Sequence, residues 1–257
     1  MIFLKSPQEV ALMRVANRVV IEILAELQER VRPGISTGEI DRIATELIRQ
    51  KGVRSAFKGY QIRNGTVPFP APICGSLTDE VVHGIPSSQR IVREGDVVSL
   101  DFGVVYRDFY GDAALTFAVG EVNERVRHLI ETTAAALAEG IAQARVGNRL
   151  GDISAAVQER VEREGFSVVR EFVGHGIGRR MHEDPPVPNY GARDRGVRLR
   201  EGMVLAIEPM VNAGRAEVVL KNDGWTAITR DGSLSAHFER SVAITERGPE
   251  VLGLSSL

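Results

Sequence analysis

Apolar residues recur at helical spacing through the N-terminal part of the chain, which predicts two helices before any strand. The segment Ser6-Pro7-Gln8-Glu9 joins an N-cap serine to a proline at the first helical position and to a glutamate three residues after the cap, which is the pattern of a capping box. We expect this first helix to end at Pro33-Gly34. A second helix, opened in the same way at Ser36, is expected to run to about Gly52.

The pattern changes after the second helix. Glycine, proline and aromatic residues predict an irregular loop over residues 56–76, and the apolar runs 97–101 and 114–119 predict strands. Two further helices fit residues 123–145 and 151–165, and short strands with glycine-rich turns follow up to about residue 248. The order of these elements predicts a mixed α/β (α+β) fold.

An internal repeat relates the two parts of the chain. Arg32-Pro33-Gly34 recurs as Arg145-Val146-Gly147, and Val92-Arg93-Glu94-Gly95 recurs as Leu199-Arg200-Glu201-Gly202. Chance similarity among common helix and turn residues is one interpretation. The other is a single domain, residues 1–257, built from pseudo-symmetric halves of about 1–120 and 121–257 that face each other.

Four acidic residues hold equivalent places in the two copies. Asp101 and Glu208 each close an apolar run, and Asp112 and Glu239 each stand on the strand that follows. Acidic side chains are rarely buried unless they are paired or bound to a metal, and neighbouring carboxylates raise one another's pKa. One or two divalent cations would remove that repulsion. The repeat therefore predicts a carboxylate-rich metal site.

Histidine supplies the remaining candidate chemistry. His175, in Gly174-His175-Gly176, is the candidate imidazole ligand, and oxygen ligands with one imidazole favour Mn²⁺, Fe²⁺, Co²⁺ or Zn²⁺. His83 and His182 stand in turn-like segments, where each is either a functional group or a hydrogen-bonded loop residue. His237 lies two residues before Glu239 and is expected near the site but not as a ligand.

Composition narrows the function classes. The chain of 257 residues has 32 Lys plus Arg against 34 Asp plus Glu, a net charge of −2, which predicts neither direct nucleic-acid binding nor attraction to an anionic membrane. Its single cysteine, Cys74, excludes an internal disulfide and fits a reducing compartment. The sequence shows no targeting segment and no apolar run long enough to span a membrane. We therefore expect a cytoplasmic protein that is not inserted in a membrane.

The order and spacing of Asp101, Asp112, His175, Glu208 and Glu239 resemble the ligand set of the methionine aminopeptidases. These enzymes belong to the wider group of pita-bread metallopeptidases. The resemblance covers nearly the whole chain and is most specific in the segments 80–86, 174–178, 207–214 and 223–226. The short separation of Glu208 from Glu239 resembles the type I, bacterial-style enzymes.

The resemblance implies a pita-bread fold with a dinuclear metal centre. According to this resemblance, Asp101 would chelate the second metal ion, and Asp112 and Glu239 would bridge both ions. His175 and Glu208 would complete the ligand set of the first ion. It also implies that His83 contacts the scissile nitrogen, that His182 contacts the carbonyl oxygen, and that Glu208 accepts a proton. The implied reaction is removal of N-terminal methionine from nascent proteins and peptides when the second residue is small and uncharged.

A substrate pocket and a further cation site are also implied by the resemblance. The pocket wall would include Phe69, Cys74, Phe172, Met181 and Trp225. A monovalent cation would be held near Asp79, Val81 and Ser235. The chain departs from the usual pattern in a longer loop over 57–72, in Phe69 where a tyrosine is usual, in Met181 where a phenylalanine is common, and in Asp79 where an asparagine is usual.

Alternatives remain open at the level of sequence. A related enzyme could remove a residue before proline, or the scaffold could be a binding module without metals. Cys74 with His83 could also be a nucleophile pair, which the metal-ligand pattern argues against. The expected partner is a peptide or nascent-chain N-terminus, with transient ribosome association and a monomeric chain.

Overall fold

The computed structural model describes residues 1–61 and 67–254. Within these ranges the chain forms four helices and 15 strands. The elements are, in chain order, α1 (Pro7–Arg30), α2 (Thr37–Lys51), β1 (Arg54–Ser55), β2 (Ile73–Leu77), β3 (Glu80–Val82), β4 (Val97–Tyr106), β5 (Phe109–Ala118), α3 (Glu124–Gln143), α4 (Leu150–Arg163), β6 (Ser167–Val168), β7 (Gly174–Gly176), β8 (Glu183–Val187), β9 (Val204–Ile207), β10 (Met210–Asn212), β11 (Val218–Leu220), β12 (Ala227–Thr229), β13 (Ser235–His237), β14 (Glu239–Thr245) and β15 (Gly248–Val251).

Both N-terminal helices begin where their caps predict. The Ser6 hydroxyl accepts from Glu9 N at 3.3 Å while the Glu9 carboxylate accepts from Ser6 N at 2.9 Å, which completes the capping box of α1. At α2 the Ser36 hydroxyl accepts from Glu39 N at 3.1 Å. The helix ends at Gly52, whose φ of 65° is the left-handed conformation that glycine adopts without steric cost.

Two predicted boundaries in the first half were wrong. The loop predicted over 56–76 ends earlier, because residues from Ile73 onward pair with β4 as strand β2. The first two predicted strands are also longer than their apolar runs, since β4 and β5 pair from Val97–Ala118 to Tyr106–Phe109 around a tight turn. The tip of the loop, residues 62–66, lies outside the described residues.

One large antiparallel sheet organises the molecule. Its strand order is β1-β4-β5-β14-β9-β7-β8, with β2 also paired to β4 and β15 to β14. Helix α1 packs against β4 and β5, and α3 packs beside α4 and against strands of the second half. Two smaller sheets, β13-β10-β6 and β11-β12-β3, lie beside it.

The apolar cores follow this arrangement. One large cluster joins α1 and α2 to β4, with Phe102 and Leu24 among its fully buried members, and another joins α3 and α4 to β9. Among the described residues, no helix has the length and apolarity that crossing a bilayer requires. The division into halves near residue 120 stays a prediction.

Candidate metal centre and substrate pocket

Strand register brings three of the predicted acidic residues to one face of the large sheet. Ala114 on β5 lies opposite Asp101 of β4 on one side and opposite Glu239 of β14 on the other. Asp112 stands two residues before Ala114, so its side chain projects from the same face. Asp101, Asp112 and Glu239 therefore project together from three adjacent strands.

The second half of the chain adds the other two predicted ligands. His175 on β7 pairs with Ala206 of β9, and Glu208 follows β9 directly. His175 Nε2 lies 3.5 Å from Glu208 Oε1 and 3.9 Å from Asp112 Oδ2. Ligand atoms of Asp112, His175 and Glu239 all lie within 4.8 Å of one another.

The imidazole of His175 is held in the form that a metal ligand requires. Its Nδ1 lies 2.9 Å from the carbonyl oxygen of Gly176, which can only accept, so Nδ1 carries the proton and Nε2 keeps its lone pair. Burial lowers the pKa of His175 to about 3, with a further contribution from His182. The ring is therefore neutral at physiological pH.

Burial and mutual repulsion perturb the carboxyl groups strongly. Burial raises the pKa of Asp101 to about 7. It also raises the pKa of Asp112, Glu208 and Glu239 well above their usual range, and the neighbouring carboxylates add to the rise. Four acidic groups that repel one another this strongly need a counter-cation to be ionised together.

The donor set fits a divalent cation. Asp101 Oδ1, Asp112 Oδ1 and Glu239 Oε1 are buried and have no hydrogen-bond partner among the described residues. Buried polar atoms without partners are rare in folded proteins, and carboxylate oxygens beside a neutral imidazole are ordinary ligands of Mn²⁺, Fe²⁺, Co²⁺ and Zn²⁺. His237 Nε2 is likewise unpartnered, 3.7 Å from Glu208 Oε2, beside the predicted ligand set.

An apolar cavity of about 460 Å³ opens onto this cluster. The structure places every predicted ligand and pocket residue on its wall, together with two aromatic residues that the sequence pattern did not point to, Phe57 and Tyr60. The full lining is Phe57, Tyr60, Phe69, Cys74, His83, Asp101, Asp112, Phe172, His175, Met181, His182, Glu208, Trp225 and Glu239.

Aromatic rings build one side of the cavity around His83. The His83 ring meets Phe172 edge-on at 5.4 Å and Trp225 edge-on at 6.0 Å between centroids. Phe69 in turn packs edge-on against Trp225 at 5.2 Å. Burial, and secondly His182, lower the pKa of His83 to about 4, so this imidazole is neutral at physiological pH.

His182 also lines the cavity and lies directly before β8. Its ring centroid is 4.2 Å from that of His175, and its Nδ1 lies 2.6 Å from the Tyr60 hydroxyl. Burial lowers its pKa. The sequence did not predict Tyr60 and Phe57 as site residues, because they stand in a loop without helical or strand periodicity. The high aromatic content of that loop was the one feature that could have indicated them.

Cys74 lies on the cavity wall as a buried free thiol. Burial, and then repulsion from Asp101, Asp112 and Glu239, raise the pKa of this thiol well above its usual value. The thiolate, which is the nucleophilic form, is therefore disfavoured. This environment argues against a nucleophile pair with His83.

The residues predicted to hold a monovalent cation lie outside the cavity, where β3, β12 and β13 meet. The carbonyl oxygen of Asp79 accepts from Thr229 N at 2.9 Å, and Val81 is buried on β3. The Ser235 hydroxyl lies 2.9 Å from Asn212 Oδ1. The cation site stays a prediction.

Comparison with known proteins places this geometry in a family. The model of metallopeptidase family M24 matches residues 11–246. The chain belongs to metallopeptidase family M24. A methionine aminopeptidase of Clostridium perfringens is 51% identical over 254 residues, 99% of each chain, and that of Escherichia coli is 41% identical over 98% of this chain and 94% of its own length.

Solved structures of M24 enzymes agree with the fold. The methionine aminopeptidase of Thermotoga maritima superposes with a TM-score of 0.95 at 45% identity, covering 99% of this chain and 100% of that one. An Xaa-Pro dipeptidase of Bacillus anthracis superposes with a TM-score of 0.75 at 22% identity over 98% of this chain and 62% of its own, a likeness of fold alone. The predicted pita-bread fold is confirmed.

Membership of M24 also settles the class of chemistry. The predicted resemblance to methionine aminopeptidases and the prediction of a metal-dependent hydrolase are confirmed by these full-length relatives. The family and the buried Asp112–His175–Glu239 cluster together indicate a divalent metal centre.

Proposed function

We propose that the chain removes N-terminal methionine from peptides and nascent proteins whose second residue is small and uncharged, with two divalent metal ions in the carboxylate cluster. The observation that carries this proposal is the opening of an apolar, aromatic-lined cavity directly onto that cluster. The names of the full-length relatives support the same activity.

The predicted ligands divide between two ions. Asp101 would hold the second ion, Asp112 and Glu239 would bridge, and His175 with Glu208 would complete the first. When bound, such ions lower the pKa of a coordinated water and polarise a carbonyl group. The oxygens Asp101 Oδ1, Asp112 Oδ1 and Glu239 Oε1 support cation binding by these three residues, because each is buried and has no hydrogen-bond partner among the described residues.

Three side chains then act on the peptide bond. Glu208, which is also one of the predicted ligands, accepts the proton of the attacking water. His182 donates a hydrogen bond to the carbonyl oxygen as negative charge develops there, and a donor of this kind is typically worth about 3–4 kcal/mol. His83, held by the rings of Phe172 and Trp225, contacts the leaving nitrogen.

The cavity wall explains a preference for methionine. A flexible thioether fills an irregular apolar space, and each sulfur–aromatic contact adds up to about 1.5 kcal/mol. Phe69, Phe172 and Trp225 offer such contacts, and Met181 adds a second adaptable side chain. Because one methylene is worth only about 1–3 kcal/mol, norleucine should be a passable substrate.

The remaining parts of the proposal concern setting. A peptide N-terminus as substrate is supported by the aminopeptidase relatives. We also propose a monomeric cytoplasmic protein that associates transiently with the ribosome. Sedimentation of the purified chain tests whether it is a monomer. Co-sedimentation with ribosomes tests the proposed ribosome association.

Peptide hydrolysis tests the activity directly. Chelated protein is titrated with Mn²⁺ or Co²⁺ and offered Met-Ala-Ser, norleucine-Ala-Ser and Ala-Pro-Ser. The proposal requires metal-dependent release of methionine, slower release of norleucine and no cleavage before proline. Cleavage before proline alone would support the related X-Pro activity, and protein that binds no metal would support a binding module.

A further inference from the structure

Tyr60 contacts His182 through its hydroxyl group. The oxygen lies 2.6 Å from His182 Nδ1, within the range of a strong O–H···N bond, and the two rings are tilted by 47° with centroids 5.2 Å apart. Tyr60 also lines the cavity. Two residues of the cavity wall are therefore bonded to each other, and one of them is the histidine proposed to act on the carbonyl oxygen.

Backbone hydrogen bonds fix the position of Tyr60 at the base of its loop. Its N–H donates to the Phe57 carbonyl at 2.8 Å, and its own carbonyl accepts from Phe69 N at 2.9 Å. Gly59 N donates to the Phe69 carbonyl at 2.8 Å, and the Phe69 ring packs on Trp225. These bonds hold the backbone of Tyr60 between Phe57 and Phe69.

Donation from the phenol to the imidazole is the favoured direction of this bond, because a phenol O–H is a more acidic donor than an imidazole N–H and an imidazole nitrogen is a more basic acceptor than a phenol oxygen. Either the phenol O–H donates to Nδ1, or Nδ1–H donates to the phenol oxygen. A neutral imidazole has one N–H donor and one acceptor nitrogen. If Nδ1 accepts from the phenol, the proton of the imidazole resides on Nε2.

We propose that Tyr60 is a positioning residue that donates to His182 Nδ1 and so holds His182 in its Nε2–H form. This inference rests on the proposed function, in which His182 donates a hydrogen bond to the substrate carbonyl oxygen. The opposite arrangement, with Nδ1–H donating to the phenol, leaves Nε2 without a proton and unable to donate. A hydrogen bond on one ring nitrogen commonly fixes the role of the other.

Kinetics of Tyr60→Phe test the proposal on the metal-loaded enzyme. The variant keeps the ring and loses only the hydroxyl, and we expect kcat for Met-Ala-Ser to fall about tenfold, with KM changed less than about threefold. Tyr106→Phe, which removes a hydroxyl at the far end of β4, is the matched control and should behave as wild type. Wild-type kcat in Tyr60→Phe would overturn the proposal.

A double variant shows whether Tyr60 acts through His182. In a His182→Ala background, adding Tyr60→Phe should cause no further loss, because the group that it positions is absent. If the two losses multiply instead, Tyr60 acts on the substrate or on the fold independently, and the positioning role is wrong.

Nitrogen NMR of metal-free protein gives a readout independent of turnover. With ¹⁵N-labelled histidine at pH 8, His182 should show a protonated Nε2 and an unprotonated, hydrogen-bonded Nδ1, and Tyr60→Phe should mix the two forms. A protonated Nδ1 in the wild-type protein would overturn the inference. If wild-type protein released no methionine while showing the expected spectrum, the proposed function would fail and the hydrogen bond would stand.

Discussion

The N-terminal segment is tied to the turn that carries His182 by a buried ion pair, and breaking it should be costly. Lys5 Nζ lies 2.6 Å from Glu183 Oε2, and the two side chains are only 5% and 3% exposed. Glu183 Oε1 also accepts from the backbone N–H groups of Arg179 and Arg180, at 2.9 and 3.1 Å. One carboxylate thus joins the start of the chain to the turn before β8.

Lys5→Met removes the charge and keeps most of the side-chain volume. Glu183 would then be a buried carboxylate with two backbone donors and no cation. Removing one partner of a buried ion pair typically costs about 3–5 kcal/mol, because the remaining charge is uncompensated. For a chain of this size, each kcal/mol lowers Tm by roughly 2–4 °C, so we expect a fall of about 6–20 °C.

Urea and thermal unfolding of metal-free protein measure this loss. Adding Glu183→Gln to Lys5→Met removes both charges and should restore part of the stability. Arg193→Met is the matched control, because the Arg193–Glu159 pair is about half exposed and should contribute little. A loss below about 1 kcal/mol for Lys5→Met, similar to that of the control, would show that burial does not make this ion pair costly to break.

Three further predictions concern the site. His182→Ala should lower kcat by about 100-fold or more with metal content unchanged, and a loss below tenfold, measured with parallel metal analysis, would remove His182 from the mechanism. Cys74→Ser should keep most activity, because burial disfavours the thiolate; near-complete loss in the same peptide assay would revive the nucleophile hypothesis. Metal-free protein should lose stability as pH rises above about 6.5, because burial raises the folded-state pKa of Asp101 to about 7 and those of Asp112, Glu208 and Glu239 well above their usual range, so the folded chain still holds protons that the unfolded chain has already released; His83, His175 and His237, whose pKa is lowered by burial, titrate below that range. Urea unfolding between pH 6.5 and 9 checks this, and stability that rises over that range would contradict it.

The meeting of the four acidic residues at one place could be predicted because their sequence signal is local and repeated. Asp101 and Glu208 each end an apolar run, where a charged residue is unexpected without a partner, and the repeat assigns both runs the same structural place. The strand register then brings Asp101 and Glu239 together, since Ala114 lies between them on the middle strand. Helix starts were equally predictable, because the cap of α1 is encoded in four consecutive residues.

Features that depend on distant or aperiodic contacts could not be predicted. Lys5 and Glu183 are 178 positions apart, and no local pattern pairs them. Strand β2 was hidden because a proline-rich run precedes it, and its pairing partner β4 supplies the information that its own sequence lacks. Tyr60 contacts His182 from a loop segment that has no periodic pattern and whose backbone bonds to Phe57 and Phe69.

We propose that the carboxylate cluster is a dinuclear hydrolytic centre, and one titration tests this most directly. Bound Mn²⁺ and methionine release from Met-Ala-Ser are measured together during titration of chelated protein, for wild type and for Asp112→Asn. We expect two Mn²⁺ ions per wild-type chain and a rate of methionine release that rises as these ions bind. We expect Asp112→Asn to lose both the bound ions and the release of methionine. Undiminished methionine release by chelated protein, or by Asp112→Asn, would show that the cluster is not a metal-dependent hydrolytic centre.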